Sequence, residues 1–162
     1  MNNSQFEIRP ATINNVPLIL DFIKALAEYE KLSHEVTATE ELLKETLFSK
    51  RKIAEVIIGY YEGTPVGFAL FFHNFSTFVG KPGIYHKDLF VTPEYRGKGF
   101  GKALLKYVAK IAKERNCGRF EWSVLDWNKP SIKFYTSLGA QPMDEWTIFR
   151  VSGKSLMELA EE

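Results

Sequence analysis

The sequence has little cysteine, little excess charge of either sign and no long apolar run. Among its 162 residues there is one cysteine, Cys117, which cannot form an intrachain disulfide or supply a cysteine-rich metal site. Twenty-one Lys and Arg against twenty Asp and Glu leave a formal net charge of +1, far from the basic excess of a dedicated nucleic-acid or membrane-surface binder. We therefore predict no nucleic-acid partner and no metal centre.

The longest apolar stretch, around Ile53 to Tyr61, is interrupted by Glu55. It is far shorter than the roughly 20 residues that a membrane-spanning helix needs. The first ten residues carry Glu7 and Arg9 and lack the apolar segment of a secretion signal. We expect a protein with no membrane partner, located in the cytoplasm.

What is present is the composition of an ordinary globular protein, 45% apolar, 25% charged and 14% aromatic. A chain of this length falls within the roughly 100–200 residues typical of one domain. No internal repeat or low-complexity linker interrupts it. The sequence therefore predicts one domain, residues 1–162.

Hydrophobic periodicity divides the chain into strands, rich in β-branched and aromatic residues, and amphipathic helices with a 3.6-residue period. The predicted strands are Gln5–Arg9, Lys52–Tyr61, Val66–His73, Ile84–Thr92, Arg119–Leu125 and Trp146–Val151. The predicted helices run through Val16–Ala27, Thr39–Leu47, Gly99–Arg115 and Ser131–Leu138, and onward from Ser155. This order indicates a mixed α/β domain with helices packed on a central sheet.

The sharpest local feature is a glycine-rich run between the fourth predicted strand and the clearest helix. Gly97, Gly99 and Gly101 stand at alternate positions and expose successive backbone N–H groups. The helix that follows adds unpaired N–H groups and the positive end of its dipole. Arg96 and Lys98 add formal positive charge, which suits a diphosphate better than a carboxylate. The run is predicted to bind an anion.

Two familiar phosphate loops do not match this run. A Walker loop needs Gly-Lys followed by Ser or Thr, whereas Lys102 is followed by Ala103, and Arg96 stands where the upstream glycine belongs. The dinucleotide fingerprint has the spacing G-x-G-x-x-G, whereas this run has G-x-G-x-G. The sequence therefore does not predict a nucleotide site of either kind.

The run from Val91 to Gly101 resembles the acyl-coenzyme A loop, R/Q-x-x-G-x-G/A, of the GNAT N-acetyltransferases. Ile8 to Thr12 resembles their first strand, and Asn128 to Tyr135 with Leu138 to Ala140 resembles their second cofactor motif. The resemblance covers nearly the whole chain. It implies a central, mostly antiparallel, twisted sheet of about six to seven strands with helices on both faces, and a homodimer.

Within that superfamily, three segments most resemble the spermidine/spermine and thialysine acetyltransferase branch. They are Ala27 to Glu30, Phe78 to Lys81, and Glu145-Trp146. The resemblance implies transfer of an acetyl group to a primary amine of a small molecule, diamine- or polyamine-like or lysine-like, by direct attack in a ternary complex.

The resemblance also implies acetyl-coenzyme A as the cosubstrate. Backbone groups of the strand before the loop would hold its pantetheine arm as an added strand would, and the loop N–H groups would hold its pyrophosphate. Asn128 would contact it where the last strands separate, although Asn128 is also suited to cap a helix. The implied binding residues are Leu89, Phe90, Val91, Arg96, Gly97, Lys98, Gly99, Phe100, Gly101, Lys102, Asn128, Ser131 and Tyr135.

The catalytic residues are less uniformly matched. Tyr135 corresponds to the family's general acid, whose phenol can protonate the departing thiolate, although its helical spacing also suits a core aromatic. Lys87 stands where the polyamine branch has a glutamate that helps to remove the amine's proton. A protonated lysine cannot be that base. His86 and Asp88 remain candidates, and strand alternation predicts that both point away from Lys87.

Several residues are candidates for contacting the amine. Glu28, Tyr29 and Glu30 end the first helix, where carboxylates, with Glu35 nearby, could attract a cation or serve only solubility. The branch's acidic and indole groups are replaced by Ser76 and Phe78, which disfavours spermidine itself.

Two alternatives to a small-amine acetyltransferase stay open at this stage. One is acetylation of an amino-acid or peptide amine, for which Lys87 could pair with a substrate carboxylate. The other is a non-catalytic acyl-coenzyme A sensor that kept the anion-binding run and lost its base.

Overall fold

The computed structural model describes residues 5–161, so Met1 to Ser4 of the segment considered for a secretion signal lie outside the described residues. The chain groups into two compact units, one ending at Ser123 and one starting at Val124. The first unit holds a sheet and three α-helices, and the second holds two α-helices. Within residues 5–161, no helix is both long enough and apolar enough to cross a bilayer.

A five-stranded sheet forms the centre of the first unit. Its strands, in spatial and chain order, are β1 (Phe6–Pro10), β2 (Glu55–Tyr61), β3 (Thr64–Ser76), β4 (Lys81–Val91) and β5 (Arg119–Glu121). The first four pair antiparallel, and β5 pairs parallel to β4. Glu62 and Gly63, with φ of 49° and 80°, make the tight turn that joins β2 to β3.

Helices cover both faces of this sheet, as predicted. On one face, α1 (Val16–Tyr29) and α2 (Glu40–Phe48) bury their apolar stripes against β2 and β3. On the other, α3 (Phe100–Glu114) buries Leu104 and Val108 against the opposite side of the same strands. Each helix can do so because its apolar residues recur with the helical period.

The second unit contains α4 (Lys129–Ser137) and α5 (Gly153–Glu161). Asn128 caps α4, since its side chain accepts a hydrogen bond from the Ser131 N–H at 3.4 Å. Pro130 lies in the first turn, where its missing N–H costs no helical hydrogen bond. The capping role predicted for Asn128 is confirmed.

The mixed α/β fold class is confirmed, but the described residues form five strands rather than six to seven. The strand predicted over Trp146–Val151 is irregular, with Trp146 and Phe149 72% and 91% exposed. Aromatic and β-branched residues favour a strand only where a neighbour pairs their backbone, and no strand of residues 5–161 pairs this segment. Likewise β5 ends at Glu121 rather than at Leu125, because its pairing with β4 stops there.

Candidate active site

The glycine-rich loop between β4 and α3 leaves open space beside its backbone. Gly97 and Gly99 have φ of 76° and 84°, the left-handed region that disfavours a side chain. A Cβ built at either glycine would meet no described atom within 4 Å. Gly101 differs, because its Cβ would make ordinary contact with Val91 at 3.7 Å. We call the backbone from Arg96 to Gly101 the cradle, since its open glycines suit an anion that approaches the main chain.

The start of α3 strengthens this site. Gly99 is the N-cap of α3, and the first turn contains no acidic residue. The free N–H groups and the positive dipole end at this terminus therefore face no negative side chain in the turn itself. Lys102, predicted to assist, is exposed in that turn.

The two loop cations contact aromatic rings of the protein. The Lys98 ammonium lies 5.5 Å from the centre of the Tyr61 ring and 5.7 Å from that of Tyr95. The Arg96 guanidinium lies 4.9 Å from the Tyr29 ring centre, and its Nε donates a hydrogen bond to the Val91 carbonyl at 2.8 Å. The side chains of both cradle cations are thus held by contacts that the sequence did not indicate.

The outer edge of β4 has little strand pairing. Its inner edge pairs with β3 from Lys81 to Val91, whereas β5 pairs only with Gly83 to Tyr85. From His86 to Val91, no strand of the described residues 5–161 lies on the outer side. The backbone of Leu89, Phe90 and Val91, predicted to hold a pantetheine arm, therefore has an edge on which an extended ligand can pair.

A cavity of about 320 Å³ opens on the α1 face of β4. Its wall includes three carboxylates: Glu30 just after α1, Glu35 in the short 3-10 helix that follows, and Asp88 in β4. The rest of the wall is apolar or small: Ile23, Leu26, Ala27, Leu32, Val36, Thr37 and Ala38. We call this space the amine cavity, because carboxylates above an apolar wall complement a cationic amine on a carbon chain.

Burial changes the ionisation of two of these carboxyl groups. It raises the pKa of Asp88, an effect that the neighbouring Lys87 charge opposes. The pKa of Glu30 is also raised, first by burial and then by the charge of Asp88, while Lys87 again acts in the opposite direction. A carboxylate with a raised pKa is a better proton acceptor than an ordinary one.

A β-bulge separates the two candidates for the base. Leu70 pairs with Asp88 and Phe71 with His86, so Lys87 is the extra residue. Strand alternation predicted that His86 and Asp88 share a side. The bulge overturns that prediction, because Asp88 borders the amine cavity whereas His86 packs edge-on against Phe120 on the α3 side, with ring centres 5.8 Å apart.

His86 is 2% exposed, and neither ring nitrogen has a hydrogen-bond partner among the described residues. Burial lowers its pKa to about 4, so the imidazole is neutral near pH 7. A neutral imidazole can accept a proton, but His86 does not border the amine cavity.

The remaining predicted amine contacts divide by position. Glu28 is exposed and lies outside the wall of the amine cavity, as does Tyr29, whose ring contacts Arg96. Lys87 is exposed on the bulge, and its charge reaches both Glu30 and Asp88.

Three predicted cofactor residues lie in the second unit. Asn128 is buried at the start of α4, and Ser131 donates to it from the first turn. Tyr135 is half-buried on the same helix, with its ring centre 5.5 Å from that of Phe134. Across residues 5–161, no group of three or more His, Cys, Asp or Glu side chains is arranged to hold a metal ion.

Sequence reasoning missed the apolar wall of the amine cavity and the rings beneath Lys98. The helical period marks Ile23 and Leu26 as inward-facing, but it cannot show that they border empty space. Val36 to Ala38 lie in a loop and carry no periodic signal at all.

Known proteins resemble the chain over most of its length. A family model described as "Acetyltransferase (GNAT) family" matches residues 21–140. Thialysine N-epsilon-acetyltransferase of Bos taurus is 40% identical, covering 94% of this chain and 96% of its own. L-ornithine N5-acetyltransferase of Arabidopsis thaliana is 34% identical, covering 94% of this chain and 86% of its own.

A solved structure has the same fold. It is an integron cassette protein from the mobile metagenome of V. cholerae, 31% identical, with a TM-score of 0.81. The match covers 98% of this chain and 99% of the other.

Proposed function

The chain belongs to the GNAT family of acetyltransferases and is an N-acetyltransferase, and from this we propose that it acetylates a primary amine of a small molecule with acetyl-coenzyme A. The enzyme prediction is thereby confirmed over that of a non-catalytic sensor. One observation carries the proposal: β4 has the open cradle at its end and the carboxylate-lined amine cavity on its α1 face. A strand bordered in this way brings an anionic cosubstrate and a cationic amine to one place.

The cradle and the edge of β4 fit coenzyme A. N–H groups from Arg96 to Gly101 and the start of α3 hold its pyrophosphate, with Phe100 as the first helical residue. The edge at Leu89 to Val91, which no described strand pairs and where only the Val91 carbonyl accepts a side-chain bond, from Arg96, holds its pantetheine arm through backbone hydrogen bonds. When bound, acetyl-coenzyme A supplies a thioester that a neutral amine can attack.

The amine cavity handles charge and protons. Glu30, Glu35 and Asp88 attract the protonated amine, and the apolar wall contacts its carbon chain. Asp88 then takes the proton that the amine must lose before attack, a role that its raised pKa favours. We prefer Asp88 to His86 as the base because Asp88 borders the amine cavity.

Tyr135 completes the proton transfers. Its phenol donates a proton to the sulfur as the bond from sulfur to the acetyl carbon breaks, and the proton that the new amide nitrogen loses returns to the phenolate. The support for this role is the match of Asn128 to Tyr135 to the second cofactor motif of the family, and Asn128 and Ser131 are proposed cofactor contacts on the same ground.

Among small amines, we favour one that also carries a carboxylate. Lys87 places a positive charge within reach of Glu30 and Asp88. Mixed charges complement an amino acid with a side-chain amine, whereas Lys87 repels a polyamine that carries only positive charges. The two relatives above are named for thialysine and L-ornithine, which are amino acids of this kind.

Thiol release tests the function. We expect acetyl-coenzyme A to release its thiol faster with L-ornithine or L-lysine than with spermidine, and mass spectrometry to detect the acetylated product. No release with any of these amines would contradict the proposal.

A glycine pair tests the cradle independently. Gly99→Val places a branched side chain at a φ of 84° and should weaken coenzyme A binding about 5- to 150-fold by calorimetry, given a backbone cost of about 1–3 kcal/mol. Gly63→Val imposes a similar backbone cost in the β2–β3 turn, at a φ of 80°, and should leave binding unchanged. Equal affinities in the two variants would remove the cradle from the proposal.

We further propose a cytoplasmic homodimer. The second unit exposes large apolar side chains, including Trp146, Ile148 and Phe149, and such a patch favours association with another protein surface. The free thiol of Cys117 suits a reducing compartment. Light scattering coupled to size-exclusion chromatography tests the homodimer. Cell fractionation tests the cytoplasmic location.

A further inference from the structure

Arg96 connects the cradle to the end of α1. Its guanidinium lies 4.9 Å from the Tyr29 ring centre and 5.4 Å from that of Phe90, while its Nε donates to the Val91 carbonyl. One side chain thereby contacts the last residue of α1 and the last two residues of β4. A cation on an aromatic face at such an exposed place changes an equilibrium about two- to fivefold.

The segment that follows Tyr29 is a fixed helix end. Lys31 has a φ of 63°, its N–H donates to the Glu28 carbonyl at 3.0 Å, and the Leu32 N–H donates to the Ala27 carbonyl at 2.8 Å. This pair of hydrogen bonds around a left-handed residue is a Schellman motif, which fixes the direction of the chain leaving a helix. Glu30 lies inside the motif, so its position follows that of Tyr29.

We propose that Arg96 is a positioning residue that couples the cradle to the amine cavity through Tyr29. The inference rests on the proposed function of these two sites. Arg96 holds the Tyr29 ring, the Schellman motif carries that constraint to Glu30 and Leu32, and both of these residues line the amine cavity. Binding of coenzyme A at the cradle fixes the backbone from which Arg96 extends and thereby favours the arrangement of α1 that receives the amine.

Such coupling is reciprocal. If coenzyme A raises the affinity for the amine by some factor, the amine raises the affinity for coenzyme A by the same factor. Because the contact between Arg96 and Tyr29 is exposed, we expect a factor of about two to five. The two cosubstrates would therefore favour the ternary complex that direct transfer requires.

Hydrogen exchange on the full chain tests this coupling without any amine. Adding coenzyme A to the wild type should slow exchange in the cradle and also, about two- to fivefold, at the amides of Lys31 and Leu32. Tyr29→Leu, which removes the ring, should keep the response of the cradle and lose that of the helix end. Tyr29→Phe keeps the ring and should retain both responses.

Two further variants make the test specific. Arg96→Gln removes the cation and should lose the helix-end response as Tyr29→Leu does. Tyr61→Leu removes the ring beneath Lys98, the other cation of the same loop. It should keep the helix-end response, because the rings that Lys98 contacts, Tyr61 and Tyr95, lie outside α1. Persistence of the response in both Tyr29→Leu and Arg96→Gln would overturn the inference.

The outcomes also separate this inference from the proposed function. No slowing anywhere in the wild type would count against the cradle itself, and with it the proposed function. Slowing confined to the wild-type cradle would leave the proposed function intact and overturn the coupling.

Calorimetry measures directly the factor by which coenzyme A changes the affinity for the amine. The affinity of L-ornithine should rise about two- to fivefold with coenzyme A in the wild type and in Tyr29→Phe, and not in Tyr29→Leu. If Tyr29→Leu instead lowers ornithine affinity equally with and without coenzyme A, the ring contacts the amine directly and the coupling is wrong.

Discussion

The two faces of β4 place neighbouring titratable side chains in different surroundings. Asp88 borders the amine cavity on the α1 side, whereas His86 is buried against Phe120 on the α3 side. Burial favours the neutral form of both, since it raises the pKa of the carboxyl and lowers that of the imidazole to about 4. Only Asp88 borders a space from which a substrate can give it a proton. A perturbed pKa therefore marks a catalytic group only where the group can also be reached.

The largest change in kcat should come from removing Asp88, the titratable residue on the accessible face of β4. Asp88→Asn removes the proposed base and should lower kcat by about 10²–10⁴-fold at neutral pH, with coenzyme A affinity nearly unchanged. Raising the pH should restore part of the rate, because more of the amine is then already deprotonated. In the wild type, activity should fall with decreasing pH through the raised pKa of Asp88, since only the carboxylate accepts a proton. Steady-state kinetics from pH 4.5 to 9.5 measure both effects.

Two controls accompany that prediction. Tyr135→Phe removes the proposed acid and should also lower kcat by about 10²–10⁴-fold, but raising the pH should not restore it. Glu45→Gln removes an exposed carboxylate on α2 and should change neither parameter. An Asp88→Asn enzyme with full turnover, when chemistry limits the rate, would show that Asp88 is not the base.

On the buried face, changing His86 should alter the free energy of unfolding rather than kcat. The folded-state pKa of His86, about 4, lies below its ordinary value of 6.5, so the unfolded chain binds the proton more readily. Its contribution to stability is therefore complete above pH 6.5 and is lost as the pH falls to about 4. The loss is on the order of 3 kcal/mol. Urea unfolding of wild type and His86→Leu at pH 7, 5.5 and 4.5 measures it as the difference between the two proteins.

His34→Gln is the matched control for this experiment, since it removes an exposed histidine and leaves the buried His86 in place. His86→Leu should also keep its turnover, because His86 lies outside the amine cavity. A large loss of kcat in a folded His86→Leu enzyme would show that His86 takes part in catalysis.

The smallest of these effects concerns Lys87, the extra residue of the bulge that separates the two faces. Lys87→Glu should raise the ratio of kcat/KM for spermidine to that for L-ornithine roughly tenfold, since reversing a partly screened charge changes two weak interactions. The comparison needs one pH and one ionic strength. If the wild type prefers spermidine and the ratio does not move, Lys87 does not select the substrate.

The cradle could be predicted in detail because all of its determinants are local. Alternate glycines before a helix imply left-handed backbone and free N–H groups, and the structure places Gly97 and Gly99 in that conformation. The helices on both faces followed from their periodicity for the same reason. That Gly97 and Gly99 help to bind coenzyme A remains a prediction.

The amine cavity could be predicted only in part because its residues come from separate elements. The sequence singled out Glu30 and Asp88 but could not show that the end of α1 and β4 border the same cavity. Alternation placed His86 with Asp88, because a bulge at Lys87 depends on the register with β3 and leaves no local signal. Composition likewise predicted a strand at Trp146–Val151, although a strand also requires a partner.

The open outer edge of β4 has a consequence for the lifetime of the protein. A strand edge that no described strand pairs is a template on which another chain can pair, and it is therefore an aggregation hazard. With coenzyme A on this edge, as proposed, the cosubstrate would shield the strand as well as supply the acetyl group. By mass action, coenzyme A at a hundredfold excess over its Kd would add about 2.7 kcal/mol to folding stability. A cell short of acetyl-coenzyme A would then lose enzyme molecules as well as reaction rate.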